Sequence, residues 1–432
     1  MSTSIAPTTP AANSRFARSQ TYRDRASKVL PRGVSSSPRA TQRPVPLAIA
    51  RGEAAHVIDV DGNEYIDFSL GYGPLLLGHS PAPVLAAVER ELRSGLRTGG
   101  ITTLEADLSE RIARAMPACE MSAFVSSGTE AAQLALRLAR AATGRLTVVK
   151  FRCHYHGWSD AIHVATDPAN DGPSTGGQDP DALRHIVVLD WGDAAALEAL
   201  AGNNIAAVIM EAAAINAGCF APAPGYLERV RAWTARHGIA LIFDEVITGF
   251  RLALGGAQAR YGIAPDLTVL GKALGAGMPV SAVAGRRAMF EPIARGTVSQ
   301  RGTYNGFPPA IAGAIAGLDY LGENATALYP RLEAYATAIA GHVRAVAART
   351  GAAVAANQLG PCVQLFAGTT AVPTLRDLGK VDKERTLDLT SALVEHGVAP
   401  LPRGMMYVST AHTDADLERT LAALTVAIGR IA

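Results

Sequence analysis

The chain has 432 residues, of which 48% are hydrophobic and 18% charged, the latter below the ~25% usual in soluble domains. This length exceeds what one hydrophobic core organises, so two domains or one large domain with appendages is expected, and neither a small module nor a wholly disordered chain fits. Forty basic against thirty-eight acidic side chains leave a formal charge of +2, too little to make nucleic acid or an anionic membrane the obvious partner.

Residues 1–21 are rich in Ser, Thr, Ala, Pro and Arg. They lack the apolar segment of a secretory signal, so a frayed tail is expected, with an organelle transit peptide as the alternative. Residues 22–78 follow as an N-terminal segment in which HVIDVDGNEYIDFS places two β-rich runs around Asp61-Gly62, a hairpin signal. Ser80-Pro81 reads as an N-cap and first-turn pair, leading a helix whose stripe is Val84, Leu85, Val88 and Leu92. From there to 328 the chain alternates helices such as TEAAQLALRLARAATG and YLERVRAWTARHG with the apolar runs LTVVKF, IVVL, IAAVIME, ALIFDEV and LTVLGK. Short apolar runs between helices are strands buried on both faces, which predicts a large α/β domain over 79–328 with a mostly parallel sheet. The texture changes near Tyr329, so 329–432 is expected to form a smaller α/β domain in contact with the N-terminal segment. Four scattered cysteines, without CxxC or metal spacing, suit reduced thiols in a cytoplasmic protein, and no metal site is expected.

No Walker A, HExxH or GxSxG string occurs. What remains is a set of polar residues at the ends of predicted strands, the edge where open α/β sheets bind ligands. Ser126-Ser127-Gly128-Thr129 opens a long helix. Its N–H groups, hydroxyls and helix dipole make a cradle for one phosphate, or else an ordinary N-cap. Asp244 ends the apolar run ALIFD; a carboxylate there needs a cation, either a protonated heterocyclic nitrogen or an arginine such as Arg251. Lys272, one of five lysines, sits between an apolar strand and a glycine-rich turn. A desolvated amine in that place attacks carbonyls, whereas a surface lysine would snorkel. Tyr155, in YHGW after LTVVKF, either stacks on a planar ring or fills core. Phosphate, ring nitrogen, aldehyde and ring face together describe pyridoxal 5'-phosphate. In that reading Lys272 carries the Schiff base and shuttles the proton, and Asp244 keeps the ring nitrogen protonated.

Beyond these residues, the chain resembles the class III pyridoxal-phosphate-dependent aminotransferases of fold type I. It is nearest the branch of glutamate-1-semialdehyde 2,1-aminomutase and β-amino-acid transaminases. The matching strings, from about Ala26 onward, are YIDFSLGYGPLLLGHS, SSGTEAAQLALRLAR, YHGWSD, FDEVITGFR, PDLTVLGKALGAGMPVSAVAGRR, RGTYNGFP and STAHTDADL. The resemblance implies a homodimer in which Thr303 reaches the partner's phosphate site. It further implies Val246 behind the ring, Glu211 and Asn216 near the ring and its hydroxyl, and Arg39 holding a substrate carboxylate, unless Arg39 is simply a surface arginine. Where the aminomutase pattern has an acid late in the small domain, this chain has Pro402-Arg403-Gly404, a form found in the β-amino-acid transaminase type. Arg403 is a second candidate for carboxylate binding. The expectation is therefore ping-pong transamination between an amino donor and a keto acid or aldehyde, with an aminomutase-type isomerase as the alternative.

Overall fold

The computed structural model describes residues 14–200 and 204–432. In chain order its strands are β1 (Ile49–Glu53), β2 (His56–Asp59), β3 (Glu64–Asp67), β4 (Met121–Val125), β5 (Thr147–Phe151), β6 (Ile186–Leu189) and β7 (Ile205–Met210). They continue with β8 (Ala240–Asp244), β9 (Leu267–Leu270), β10 (Ser281–Gly285), β11 (Val354–Leu359), β12 (Cys362–Ala367), β13 (Val398–Ala399) and β14 (Met405–Tyr407).

Seven of them form the central sheet in the order β4-β10-β9-β8-β7-β5-β6. Its neighbours pair in parallel except at β10, which runs against both β9 and β4. Every residue of β7, β8 and β9 is buried. Helices therefore cover both faces, as the unbroken apolar runs required. This sheet is the core of a large α/β unit, and smaller sheets are built from the ends of the chain.

The expected hairpin is β2–β3, with His56 opposite Ile66. Its outer neighbour β13 joins in parallel, Val398 opposite Ile66, so N- and C-terminal segments share one four-stranded sheet, β1-β2-β3-β13. A third sheet, β11-β12-β14, lies in the C-terminal part.

Three sequence expectations change. Residues 1–13 lie outside the described residues, but the supposed tail is already ordered from Ser14, and a helix spans Ala17–Ala26. The cause is remote in sequence: the Asp61 carboxylate accepts the Arg18 and Ser19 N–H groups at 2.6 and 2.9 Å and the Ser19 hydroxyl at 2.7 Å. Those N–H groups have no partner within the helix. Phe16 anchors the same end by packing with Val45, Val57 and Tyr65. Second, the next helix runs Ala82–Arg93 with Pro81 as its cap; Val84 and Val88 are buried, but Leu85 and Leu92 are 42% and 48% exposed. Third, the boundary drawn at 328/329 falls inside one helix, Pro308–Thr350, of 43 residues. At 1.5 Å per residue it is about 65 Å long. The change of texture near Tyr329 marks Pro330, which this helix absorbs.

Candidate active site

The carboxyl edge of the central sheet collects the polar residues. Ser126–Thr129 leave β4, Tyr155–Gly157 follow β5, Glu211 follows β7, Asp244 ends β8, and Lys272 follows β9. All of these line one cavity of about 410 Å³ together with Asn216 and Val246. Nine of the twelve expected site residues therefore meet there: Ser127, Gly128, Thr129, Tyr155, Glu211, Asn216, Asp244, Val246 and Lys272.

At the cradle, the Ser127 hydroxyl accepts the Glu130 N–H at 3.3 Å and donates to the Glu130 carboxylate at 2.9 Å. Ser127 is thus an N-cap as well as a cavity wall, while the first N–H groups of the Gly128–Thr143 helix lack intrahelical partners. Gly157 presses on this turn from the β5 side. It has φ +91°, and a Cβ there would stand 2.8 Å from the Thr129 Cα.

Asp244 is 6% exposed. It meets not Arg251 but His156, whose Nδ1 lies 2.7 Å from Oδ2, and its Oδ1 accepts the Val246 N–H at 3.1 Å. Burial pushes the His156 imidazole below its ordinary range against the pull of Asp244. A neutral ring with its proton on Nδ1, donated to the carboxylate, is the tautomer this contact requires. Glu211 accepts the Tyr155 N–H at 3.1 Å and the Asn216 N–H at 3.3 Å. Burial and the Asp244 charge nevertheless raise its carboxyl to about 8. Tyr155 is 42% exposed on the cavity wall, so it is not core filling.

Lys272 adopts a left-handed backbone, φ +45°, a conformation that costs an L-residue about 1–2 kcal/mol. Its amine is pushed down to about 8, first by burial. Asp244 and Glu211 oppose that shift, and the Arg251 and Arg403 guanidiniums add to it. The roof above it is a run of four left-handed residues, Leu70, Gly71, Tyr72 and Gly73, with φ +45°, +64°, +70° and +105°. Asp67 starts the run by accepting the Ser69 and Leu70 N–H groups at 2.8 and 3.1 Å.

Three expected residues lie outside the cavity. Arg39 is exposed and lines a neighbouring cavity of about 340 Å³, which meets the first at Gly71 and Tyr72. Arg403 donates to the Asn216 carbonyl and, at 3.2 Å, to its side-chain oxygen. Thr303 is on an exposed turn beside Tyr304. Sequence reasoning missed His156, although YHG placed it one residue from Tyr155. It also missed Lys150, which is fully buried, donates to the His154 carbonyl at 3.0 Å and to the Val164 carbonyl, and is lowered to about 8 by burial. Its position inside TVVKF, a run otherwise buried on both faces, was its only signal.

An anion cradle at a helix N-terminus, a buried carboxylate bonded to a neutral histidine, and an amine with a lowered proton affinity fit the phosphate, ring nitrogen and aldehyde of pyridoxal phosphate. Comparison with known proteins agrees. The aminotransferase class-III family matches residues 37–339. A glutamate-1-semialdehyde 2,1-aminomutase of Pelotomaculum thermopropionicum is 43% identical over 417 residues, 94% of this chain and 96% of that protein. Among solved structures, a β-phenylalanine aminotransferase from Variovorax paradoxus superposes with TM-score 0.86 at 32% identity, covering 96% of this chain and 94% of the other. A glutamate-1-semialdehyde aminomutase variant from Pseudomonas aeruginosa PAO1, in complex with PMP, gives 0.87 at 26% identity, covering 96% and 95%. The chain belongs to the class III aminotransferases and is a pyridoxal-phosphate enzyme.

Proposed function

We propose that the protein is an aminotransferase that takes an amino group from an amino acid or amine donor and passes it to a keto acid or aldehyde in two half-reactions. Pyridoxal phosphate, when bound, supplies an electrophilic aldehyde and an electron sink that lets a proton leave the substrate carbon. The first N–H groups of the Gly128–Thr143 helix, with Ser127, Gly128 and Thr129, hold its phosphate. Asp244, oriented by the 2.7 Å contact with His156, faces the ring nitrogen. Tyr155 and Val246, which line the same cavity, would cover the ring, and Glu211 and Asn216 would meet its polar edge. Lys272 would hold the cofactor's aldehyde, and its free Nζ would take and return the proton at the substrate carbon. An amine whose pKa is about 8 is neutral often enough to do so near neutral pH.

The observation that carries transamination over isomerisation is the placement of the two arginines. Arg403 is tied to the cavity residue Asn216, Arg39 lines the neighbouring cavity, and the charges of both favour the phenolate of Tyr72, which with Gly71 is shared by the two cavities. Two cations at one mouth suit carboxylate-bearing donors and acceptors that enter and leave in turn. The second reading, an aminomutase, is favoured by the 43% identity to proteins of that name. We further place Thr303, on its exposed turn, at the phosphate site of a partner subunit in a homodimer. The four unpaired thiols suit a cytoplasmic protein.

Borohydride reduction of the holoenzyme followed by peptide mapping tests the tether: the phosphopyridoxyl mass belongs on Lys272, and a label elsewhere overturns the assignment. Amine donors screened against pyruvate and 2-oxoglutarate, with glutamate-1-semialdehyde in parallel, decide the reaction. Conversion of the semialdehyde to its amino-shifted isomer, with no donor–acceptor pair active, would establish the isomerase.

A further inference from the structure

Arg251 is the largest side chain that is completely buried, at 0% exposure, and among the described residues no carboxylate pairs with it. Its guanidinium donates to two backbone carbonyls, Ile247 at 3.3 Å and Gly73, and its Cζ lies 5.1 Å from the centre of the Tyr407 ring. A guanidinium cannot shed its proton, so this is a permanent charge held in the interior by carbonyl dipoles and one aromatic face, without a carboxylate to offset its desolvation. What it holds is the last residue of the left-handed run. A Cβ on Gly73 would touch the Lys272 Cδ and the Tyr407 ring, both at 3.4 Å. Gly73 is therefore packed directly on the Lys272 side chain.

We propose that Arg251 is a positioning residue, clamping the Leu70–Gly73 turn onto the Lys272 side chain and placing a fixed positive charge within reach of its amine. The proposal rests on Lys272 being the reactive amine of the site. Four charged groups act on that amine: Asp244 and Glu211 favour its cation, and Arg251 and Arg403 disfavour it. Around Arg251 itself stand Tyr407, Tyr329 and Cys362, all neutral near pH 8, since burial raises each. Arg251 is thus the interior cation that offsets the two acids, and the Lys272 amine reaches its neutral form at a lower pH because of it.

The test uses the apoprotein, where no turnover is involved. A trace pulse of acetic anhydride across pH 6–11, read by mass spectrometry, gives the neutral fraction of Lys272 against the exposed Lys28 as an internal standard. Removing the cation in Arg251→Met or Arg251→Gln lowers Lys272 labelling near pH 8 roughly 3- to 10-fold. Gln keeps an amide N–H for the Gly73 carbonyl and so guards the fold. Arg251→Lys, which retains the charge, stays within about twofold of wild type. Superimposable profiles for wild type and the neutral variants overturn the proposal, as does an equal loss in Arg251→Lys. Failure of borohydride to label Lys272 in the wild-type holoenzyme would instead overturn the tether, and the apoprotein profiles would still report on Arg251.

Discussion

Replacing Gly157 by alanine tests whether the β5 exit loop sets the shape of the phosphate cradle. At φ +91° an alanine carries about 1–2 kcal/mol of backbone strain. Its Cβ would also stand 2.7 Å from the Thr129 Oγ1, 2.8 Å from its Cα and 3.0 Å from its Cβ. Two of these atoms cannot be moved by a rotamer change, so the Ser127–Thr129 turn has to shift, at an overpacking cost of about 1–3 kcal/mol. The sum is about 2–5 kcal/mol. If the turn relaxes by moving, much of this falls on the cofactor rather than on the fold, and at 1.4 kcal/mol per decade the dissociation constant for pyridoxal phosphate rises about tenfold or more. Fluorescence titration of the apoprotein measures the affinity, and calorimetry with and without cofactor separates binding from stability. An alanine variant that melts with the wild type and binds the cofactor within about twofold would refute the packing argument.

Other outcomes can be checked in parallel. Asp244→Asn loses the charge that His156 orients; turnover should fall about 100-fold or more and cofactor retention should weaken, and normal kinetics would remove Asp244 from the ring nitrogen. Arg39→Ala and Arg403→Ala should each raise the Michaelis constant for carboxylate substrates about tenfold and leave simple amines little affected, as steady-state kinetics with both substrate kinds will show. Glu211 has its folded pKa raised to about 8 from 4.5. Its contribution to apoprotein stability is present below pH 4.5 and is lost as pH rises through 8. Lys150 and Lys272, both lowered to about 8 from 10.5, act in the other direction and in another window: they cost stability at low pH and cease to do so between 8 and 10.5. His154, His156, His163 and His412, all lowered from 6.5 by burial, add the opposite slope below that pH to wild type and variant alike, so the readout is the difference: from pH 5 to 8 the wild-type melting temperature should fall relative to that of Glu211→Gln, and parallel curves would contradict the assignment.

The central sheet and the candidate cavity were legible because strands such as β7, β8 and β9 are apolar runs with a polar residue at or just past their ends. A carboxylate after ALIF and an amine after LTVLG stand out against apolar surroundings, whether met by a ligand, by an arginine or by solvent, and β8 and β9 deliver Asp244 and Lys272 to the same edge. What was illegible depends on contacts between residues distant in sequence. The Ala17–Ala26 helix begins at Asp61, more than forty residues away. Leu85 and Leu92 satisfy a helical stripe yet face outward, because the packing face is set instead by Val84, Ala87, Val88 and Glu91. Arg251 was weighed only as a partner for Asp244; local spacing allowed that, and the carbonyl of Gly73 took it. Arg403 and Asn216 are 187 positions apart, and periodicity carries no information about such a pair.

The Pro308–Thr350 helix leaves the central region beside the Ala82–Arg93 and Thr103–Ala115 helices and ends against β11 and the Asp414–Ile431 helix. Elements from both parts of the chain are thus packed on one axle rather than joined by a slack tether. A motion that displaced β11 relative to the Ala82–Arg93 helix would load this rod, and its weakest joint is Pro330, where the ring deprives the Thr326 carbonyl of its helical donor.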